Sequence, residues 1–430
     1  MVNMEELLRE MESMKITGNS ASAHLWKKCV DIFVPQLMSG VDLPGVEDDF
    51  KDYRGILNDR LKEIWEIFHR IFLDSNEGAN DPEVMRIIVI HLIVVVGEQS
   101  ERCPWNTDET SGLVQSILTD ICALFGNNSL SSIFCGPDDK LQTILMILRP
   151  KLMKDTWKTY PGAVVCYKWL LNQIEIPELT KYLSNILPTA LIIFDDFVPE
   201  NRIIGLECIY RIIQHSSTHR EFIENGYAAV IYDAVEKLTH HRDVRYIIPT
   251  FTCITSVLAV IENNNHSINR FEWSKRDDVI ATILDNMEME QDLDLRHAYM
   301  MSLPQLLTDL GCAKWLQRLI RIIEEYCSHH TDLRTLKATL QTAEVILTLF
   351  HLRIPAHCTP LYTAFLKLHL DLTETPIFDK EITNSLERCI YTLYQLTPNV
   401  GSVIMRDDRI RTIIEDSLLF ACTGDTKYCN

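Results

Sequence analysis

Between Leu179 and Ile213 the chain carries two apolar stripes at helical spacing, broken by one polar stretch. Leu179, Leu183, Ile186, Leu187, Ala190, Leu191 and Phe194 recur at steps of three and four, and so do Ile203, Leu206, Ile209, Tyr210 and Ile213. The spacing predicts two amphipathic helices. Between them DDFVPE resists helical continuation, because Pro199 disfavours helical geometry at Val198 and Asp195 or Asp196 can bond the free amides of a turn. The unit is a helical hairpin, and the question it poses is whether it recurs.

It does recur. Arginines stand near the start of the second helix at Arg202, Arg245, Arg296 and Arg334, at gaps of 43, 51 and 38 residues. These bracket the roughly 40 to 47 residues of HEAT or armadillo units. Asn201 beside Arg202, and Asp196 in the turn before them, complete the repeat motif. A fifth match, Asp81 to Arg86, precedes the apolar run Ile87 to Val96. Further helices are expected over 57–72, 111–125, 140–152, 163–174, 361–372 and 382–396. Only 15 glycines and 16 prolines occur in 430 residues, too few for the turns of a barrel or sandwich. The predicted fold is all-α, a HEAT/armadillo-like α-solenoid of antiparallel helix pairs. Polar loops over 39–52, 99–110 and 127–139 concentrate irregularity in the first third. The expected organisation is an irregular helical region over 1–154, a regular solenoid over 155–420 and a frayed tail over 421–430.

Charge and composition exclude several ligand classes. The formal net charge is -19, and no basic run exceeds two residues, so nucleic acid and anionic membrane are disfavoured as direct ligands. The 13 cysteines form no CxxC pair and mostly sit in apolar helical patterns, the usage of a reducing compartment. The segment MVNMEELLREMESMK lacks the basic-then-apolar order of a signal peptide. The apolar run Ile87 to Val96 is well short of the roughly 20 residues of a membrane span and reads as a buried helix.

No motif supports catalysis or a cofactor. Asp195 and Asp196 are adjacent and point apart, and no second acidic cluster is in register with them. They read as structural, with the Asp196 side chain accepting backbone amides and Arg202 contacting a neighbouring repeat's acid. His241-Arg242-Asp243 has the kinase tripeptide without the asparagine, the Asp-Phe-Gly or the glycine-rich loop of that family. His215 and His219 have the spacing of a helical zinc pair but lack the metalloprotease glutamate. His329-His330 and His357-Cys358 have no second ligand pair at a recognised spacing. The aromatic residues Trp157, Tyr160, Tyr167 and Trp169 crowd one segment. Packing between helices is the commoner cause, and the alternative makes Trp157, Tyr160 and Trp169 anchors for a partner.

The run from Trp157 to Ile213, with Pro161, Trp169, Pro177-Glu178-Leu179, Leu187-Pro188, Asp195-Asp196, Asn201-Arg202 and Gly205-Leu206, resembles the Tel-two-interacting protein two family. The block from Asp277 to Gly311, with Leu295-Arg296, Tyr299 and Leu303, is similar to that family's next distinctive segment. The family is the smallest subunit of the Triple T (TTT) cochaperone complex. The resemblance implies a non-catalytic adaptor that binds the two larger TTT subunits, Tel-two and the first Tel-two-interacting protein. It further implies support, with the Hsp-ninety system, for the maturation of phosphatidylinositol-kinase-related protein kinases, and hence for the DNA damage response and telomere maintenance. A cytoplasmic location extending to the nucleus, no cofactor, and a main contact carried by residues 155–420 are expected on the same ground. The rival reading is a transport or trafficking adaptor with acidic faces for basic protein cargo.

Overall fold

The computed structural model describes residues 45–69, 82–126, 129–216, 220–263, 272–307, 310–374 and 379–415. Every regular element among them is a helix and none is a strand, as the apolar spacing predicts. The expected tail over 421–430 and His219 lie outside the described residues. Contact density divides the chain into two compact units, Met1–Phe222 and Ile223–Asn430. The boundary expected near residue 155 concerns the regularity of the repeat, which is a different property.

In the first unit, α1 (Lys51–Phe68) lies against α3 (Asp108–Leu124). Lys62 and Asn58 of α1 reach Glu109 at 2.7 and 3.1 Å, and Trp65 and His69 converge on Asp120 at 2.6 and 2.7 Å. The apolar α2 (Pro82–Glu98) is buried between α5 (Lys140–Leu148) and α6 (Pro161–Gln173), with the short α4 (Leu130–Phe134) beside α5. Closeness is bought with glycine: a Cβ at Gly97 would stand 2.5 Å from the Cys166 sulfur and 2.9 Å from the Trp169 ring. The following hairpin, α7 (Leu183–Phe194) and α8 (Pro199–Ser216), is the one predicted from its stripes, and Pro199 occupies the first position of α8, where its missing N–H costs nothing. A Cβ at Gly205 would meet the Phe194 backbone at 2.5 Å, so this glycine fixes how closely α8 crosses α7. Tyr167 donates to the Ile186 carbonyl at 2.7 Å, and Arg211 donates to the Leu171 and Ile174 carbonyls at the carboxy-terminal end of α6.

The second unit is more regular. α9 (Tyr227–Val235) packs on α10 (Val244–Asn263), and three hairpins follow: α11 (Lys275–Met289) with α12 (Leu293–Leu306), α13 (Leu316–Ser328) with α14 (Leu333–Leu349), and α15 (Cys358–Glu374) with α16 (Lys380–Leu396). α10, α12, α14 and α16 stack in one layer, and α11, α13 and α15 in the other. α10 is the one described helix long and apolar enough to cross a membrane; half of its apolar window is buried, and its packing on α9 and α12 accounts for that composition.

An aspartate caps each helix of the first layer. Asp243 accepts the Arg245 amide at 3.0 Å, Asp292 that of Leu295 at 3.0 Å, Asp332 that of Thr335 at 3.2 Å, and Asp379 those of Glu381 and Ile382 at 2.9 and 3.4 Å. Each satisfies amides that no turn of helix precedes. Asp277, near the start of α11, gathers Lys314 at 2.7 Å, the Trp315 indole at 2.8 Å and the Ser274 amide at 2.8 Å. Burial alone would raise its pKa, but these donors outweigh burial and hold the carboxyl below its ordinary value.

Two glycine substitutions separate packing from propensity. Gly205→Ala forces α7 and α8 apart and is expected to cost about 1 to 3 kcal/mol. Gly112→Ala in α3, where an added Cβ meets nothing within 4 Å, is expected to gain roughly 0.5 to 1 kcal/mol. Urea unfolding at equal protein concentration checks both signs.

Candidate interaction surface

The turn between α7 and α8 places the predicted motif residues in one knot. The buried Asp196 carboxylate accepts from Lys158 at 2.7 Å, from the Asn201 side-chain amide at 2.6 Å and from the Phe197 backbone amide at 2.9 Å. Asp195 is exposed, so the adjacent pair presents no joint acid-base site. The Asp196 carboxylate is therefore a structural acceptor, although it takes one backbone amide and two side chains where backbone amides alone were expected. The Arg202 Nε donates to the Asp196 carbonyl at 2.8 Å, so this side chain closes its own turn.

The other marked arginines also have distinct targets. Arg245 folds back on Asp243 at 2.7 Å. Arg296 is buried, with its guanidinium 3.9 Å from the centroid of the Tyr326 ring and 3.9 Å from Glu325. Arg334 reaches Asp294, 40 residues away, at 3.0 Å. Inter-repeat pairing is instead shared with residues the arginine pattern missed. Lys337 meets Glu381 at 2.6 Å, Arg388 meets Glu344 at 2.9 Å, and Arg242 meets Glu290 at 2.8 Å, at separations of 44, 44 and 48 residues. The missed signal was the capping aspartate, legible as Asp-x-Arg at Asp243, Asp294 and Asp332, although at Asp294 the cap itself is Asp292.

The kinase-like tripeptide dissolves into this scaffold: Asp243 caps α10 and Arg242 pairs with Glu290. His215 is fully buried, and neither ring nitrogen has a hydrogen-bond partner among the described residues. Burial, helped by the Arg211 charge, lowers its pKa to about 4, so the ring is neutral at physiological pH. His330 lies 3.8 Å from Asp371, and Cys358 is buried beside the half-buried His357. Among the described residues no three His, Cys, Asp or Glu side chains gather as a metal site.

Trp157 and Trp169 are buried, Trp169 edge-on to Phe134 at 6.1 Å, and Tyr160 is half-buried at the start of α6. The two tryptophans thus pack the first unit and offer no ring to a partner, because Gly97 lets α2 close over Trp169. Their cluster's solvent-facing aromatic is Phe197, 70% exposed, with the Lys158 ammonium 4.5 Å above its ring. In the second unit, Val244, Ile248, Met289 and Leu293 are among the large apolar side chains that are exposed.

No family model matches the chain. It is similar to the human protein named TELO2-interacting protein 2, at 27% identity over 294 residues, covering 66% of this chain and 57% of that protein. The rat and mouse proteins of the same name match at 27% and 26% over the same shares. These similarities bear out the resemblance to that family, and the chain spans somewhat more than half the length of the relatives it matches. Among solved structures, an engineered protein aligns over 98% of this chain and 99% of its own at 12% identity with a TM-score of 0.45. SYS-1 aligns over 97% of each chain at 11% identity with a TM-score of 0.25. Similarity at that level bears on neither fold nor function.

Asp196→Ala leaves Lys158 and Asn201 without their shared acceptor and is expected to cost about 1 to 3 kcal/mol. A double-mutant cycle with Lys158→Met by urea unfolding should return a coupling above about 0.5 kcal/mol; additive losses would remove the knot. His215 titrates in the opposite sense to a salt-bridged histidine. Its folded pKa lies below the unfolded one, so its contribution is complete above about pH 6.5 and is lost as the pH falls towards 4. His215→Leu is therefore expected to flatten the fall in melting temperature between pH 7 and 5.

Proposed function

We propose that this chain is a non-catalytic adaptor that serves as a subunit of a TTT-type cochaperone assembly. Its direct partners on this reading are a Tel-two protein and the first Tel-two-interacting protein. Through them it supports maturation of phosphatidylinositol-kinase-related kinases by the Hsp-ninety system, in the cytoplasm and nucleus. The observation that carries the reading is the similarity to the TELO2-interacting protein 2 chains, whose name states their association. The physical setting supports it. Asp196, Asp243 and Arg242, the residue types that could have signalled chemistry, are engaged in turns, caps and interhelical pairs. Stacked hairpins bury a continuous core and leave their outer faces and turns to partners.

Affinity between subunits of a lasting complex is expected to need a large, partly apolar contact. A fragment starting at residue 155 would strip α2 from α6 and expose the Trp169 face, so the test uses the whole chain. Co-expressed with the Tel-two protein and first Tel-two-interacting protein of its own organism, the tagged chain is expected to co-elute with both in size-exclusion chromatography. Elution of the folded chain alone, with basic cargo proteins recovered in their place, would favour the trafficking reading.

A further inference from the structure

Three interhelical contacts arrange the turns of the second unit in one row. Arg242, just before α10, meets Glu290 between α11 and α12 at 2.8 Å; Asp294 of α12 meets Arg334 of α14 at 3.0 Å; and His330, between α13 and α14, lies 3.8 Å from Asp371 of α15. The turns that lead into α10, α12 and α14 therefore form a single edge. At the first two of these turns stand Met289, 76% exposed, Leu293, 57%, and Val244, 42%, with Ile248, 41%, one helical turn into α10 beside Val244. Single exposed apolar residues need no explanation, but three at adjoining turns with a fourth one helical turn further make a patch. None of the four serves the core: Met289 ends α11, while Val244 and Leu293 are the first residues of their helices, beyond the capping aspartates.

We infer that this edge is a docking surface for an apolar segment of a partner protein flanked by lysines or arginines. The charge around the patch selects that partner. Asp243, Glu290, Asp292, Asp294 and Asp332 stand against Arg242, Arg245 and Arg334, and each of the three arginines is already held by one of those acids. The edge has no arginine to spare for an acidic partner and an excess of carboxylate for a basic one, as the net charge of -19 repeats for the whole chain. Apolar anchors at the centre with a complementary charged rim is the anatomy of a specific interface. This inference rests on the adaptor reading and names the surface through which it works.

The test places the photocrosslinking residue p-benzoylphenylalanine at Leu293 of the full chain in cells, with Gln341 on α14 as the exposed control, and identifies the crosslinked segment by mass spectrometry. Separately, Met289→Asp with Leu293→Asp is compared with wild type for co-elution with the Tel-two protein. The expected result is a crosslink from 293 and not from 341 to an apolar segment with lysine or arginine flanks. The double variant should lose affinity at least about tenfold with an unchanged melting temperature, since both side chains are exposed. No crosslink above the control, a crosslink to an acidic segment, to a second copy or within this chain, or full binding by the variant overturns the surface. If wild type binds neither the Tel-two protein nor the first Tel-two-interacting protein while 293 crosslinks a basic apolar segment of another protein, the surface stands and the TTT assignment falls.

Discussion

Burial of one helix stripe by the next is the constraint on which the rest of the second unit depends. An amphipathic helix cannot bury its apolar face alone, and a hairpin still leaves one side uncovered, so each of α10, α12, α14 and α16 needs the next. Direction and register then have to be set by something more specific than hydrophobicity. The capping aspartates fix where each helix starts, and ion pairs reaching 40 to 48 residues along the chain fix which repeat faces which. Exposed pairs of this kind contribute little stability each. Their value lies in agreement, since every one specifies the same stacking.

The first unit solves the same problem with closer contacts and less repetition. Gly97 and Gly205 let helices approach to distances that any side chain would forbid. Asp196 ties a loop, a helix start and the residues before α6 through a single carboxylate. Such a site looks chemical in sequence because buried acids and catalytic acids share the same neighbours. What separates them is saturation: a carboxylate that already accepts an ammonium, a side-chain amide and a backbone amide has little capacity left for a substrate.

Much of this was legible in the sequence, and the failures have physical causes. The hairpin at 179–213 was legible because both stripes are long and Pro199 marks the start of α8. Helix starts were read late, at 111 for a helix beginning at Asp108 and at 382 for one beginning at Lys380, because a first turn is polar and carries no stripe. The destinations of Arg202 and Arg296 were not legible, since a guanidinium reaches a carbonyl, a ring or an acid with equal ease. Trp169 was ambiguous because its burial depends on α2 and Gly97, far upstream. The Val244–Leu293 edge was invisible for the opposite reason: its residues fit helical patterns, and only the folded turns show that they face outward.

The account holds that this is a helical scaffold whose turn edge, and not a cleft, meets its partner. Hydrogen–deuterium exchange of the full chain, alone and saturated with the Tel-two protein, tests that most directly. The account predicts added protection over residues 241–248 and 289–297, with the Asp196 turn and the cap of α16 unchanged. Binding that leaves 241–248 and 289–297 exchanging as in the free chain would contradict it.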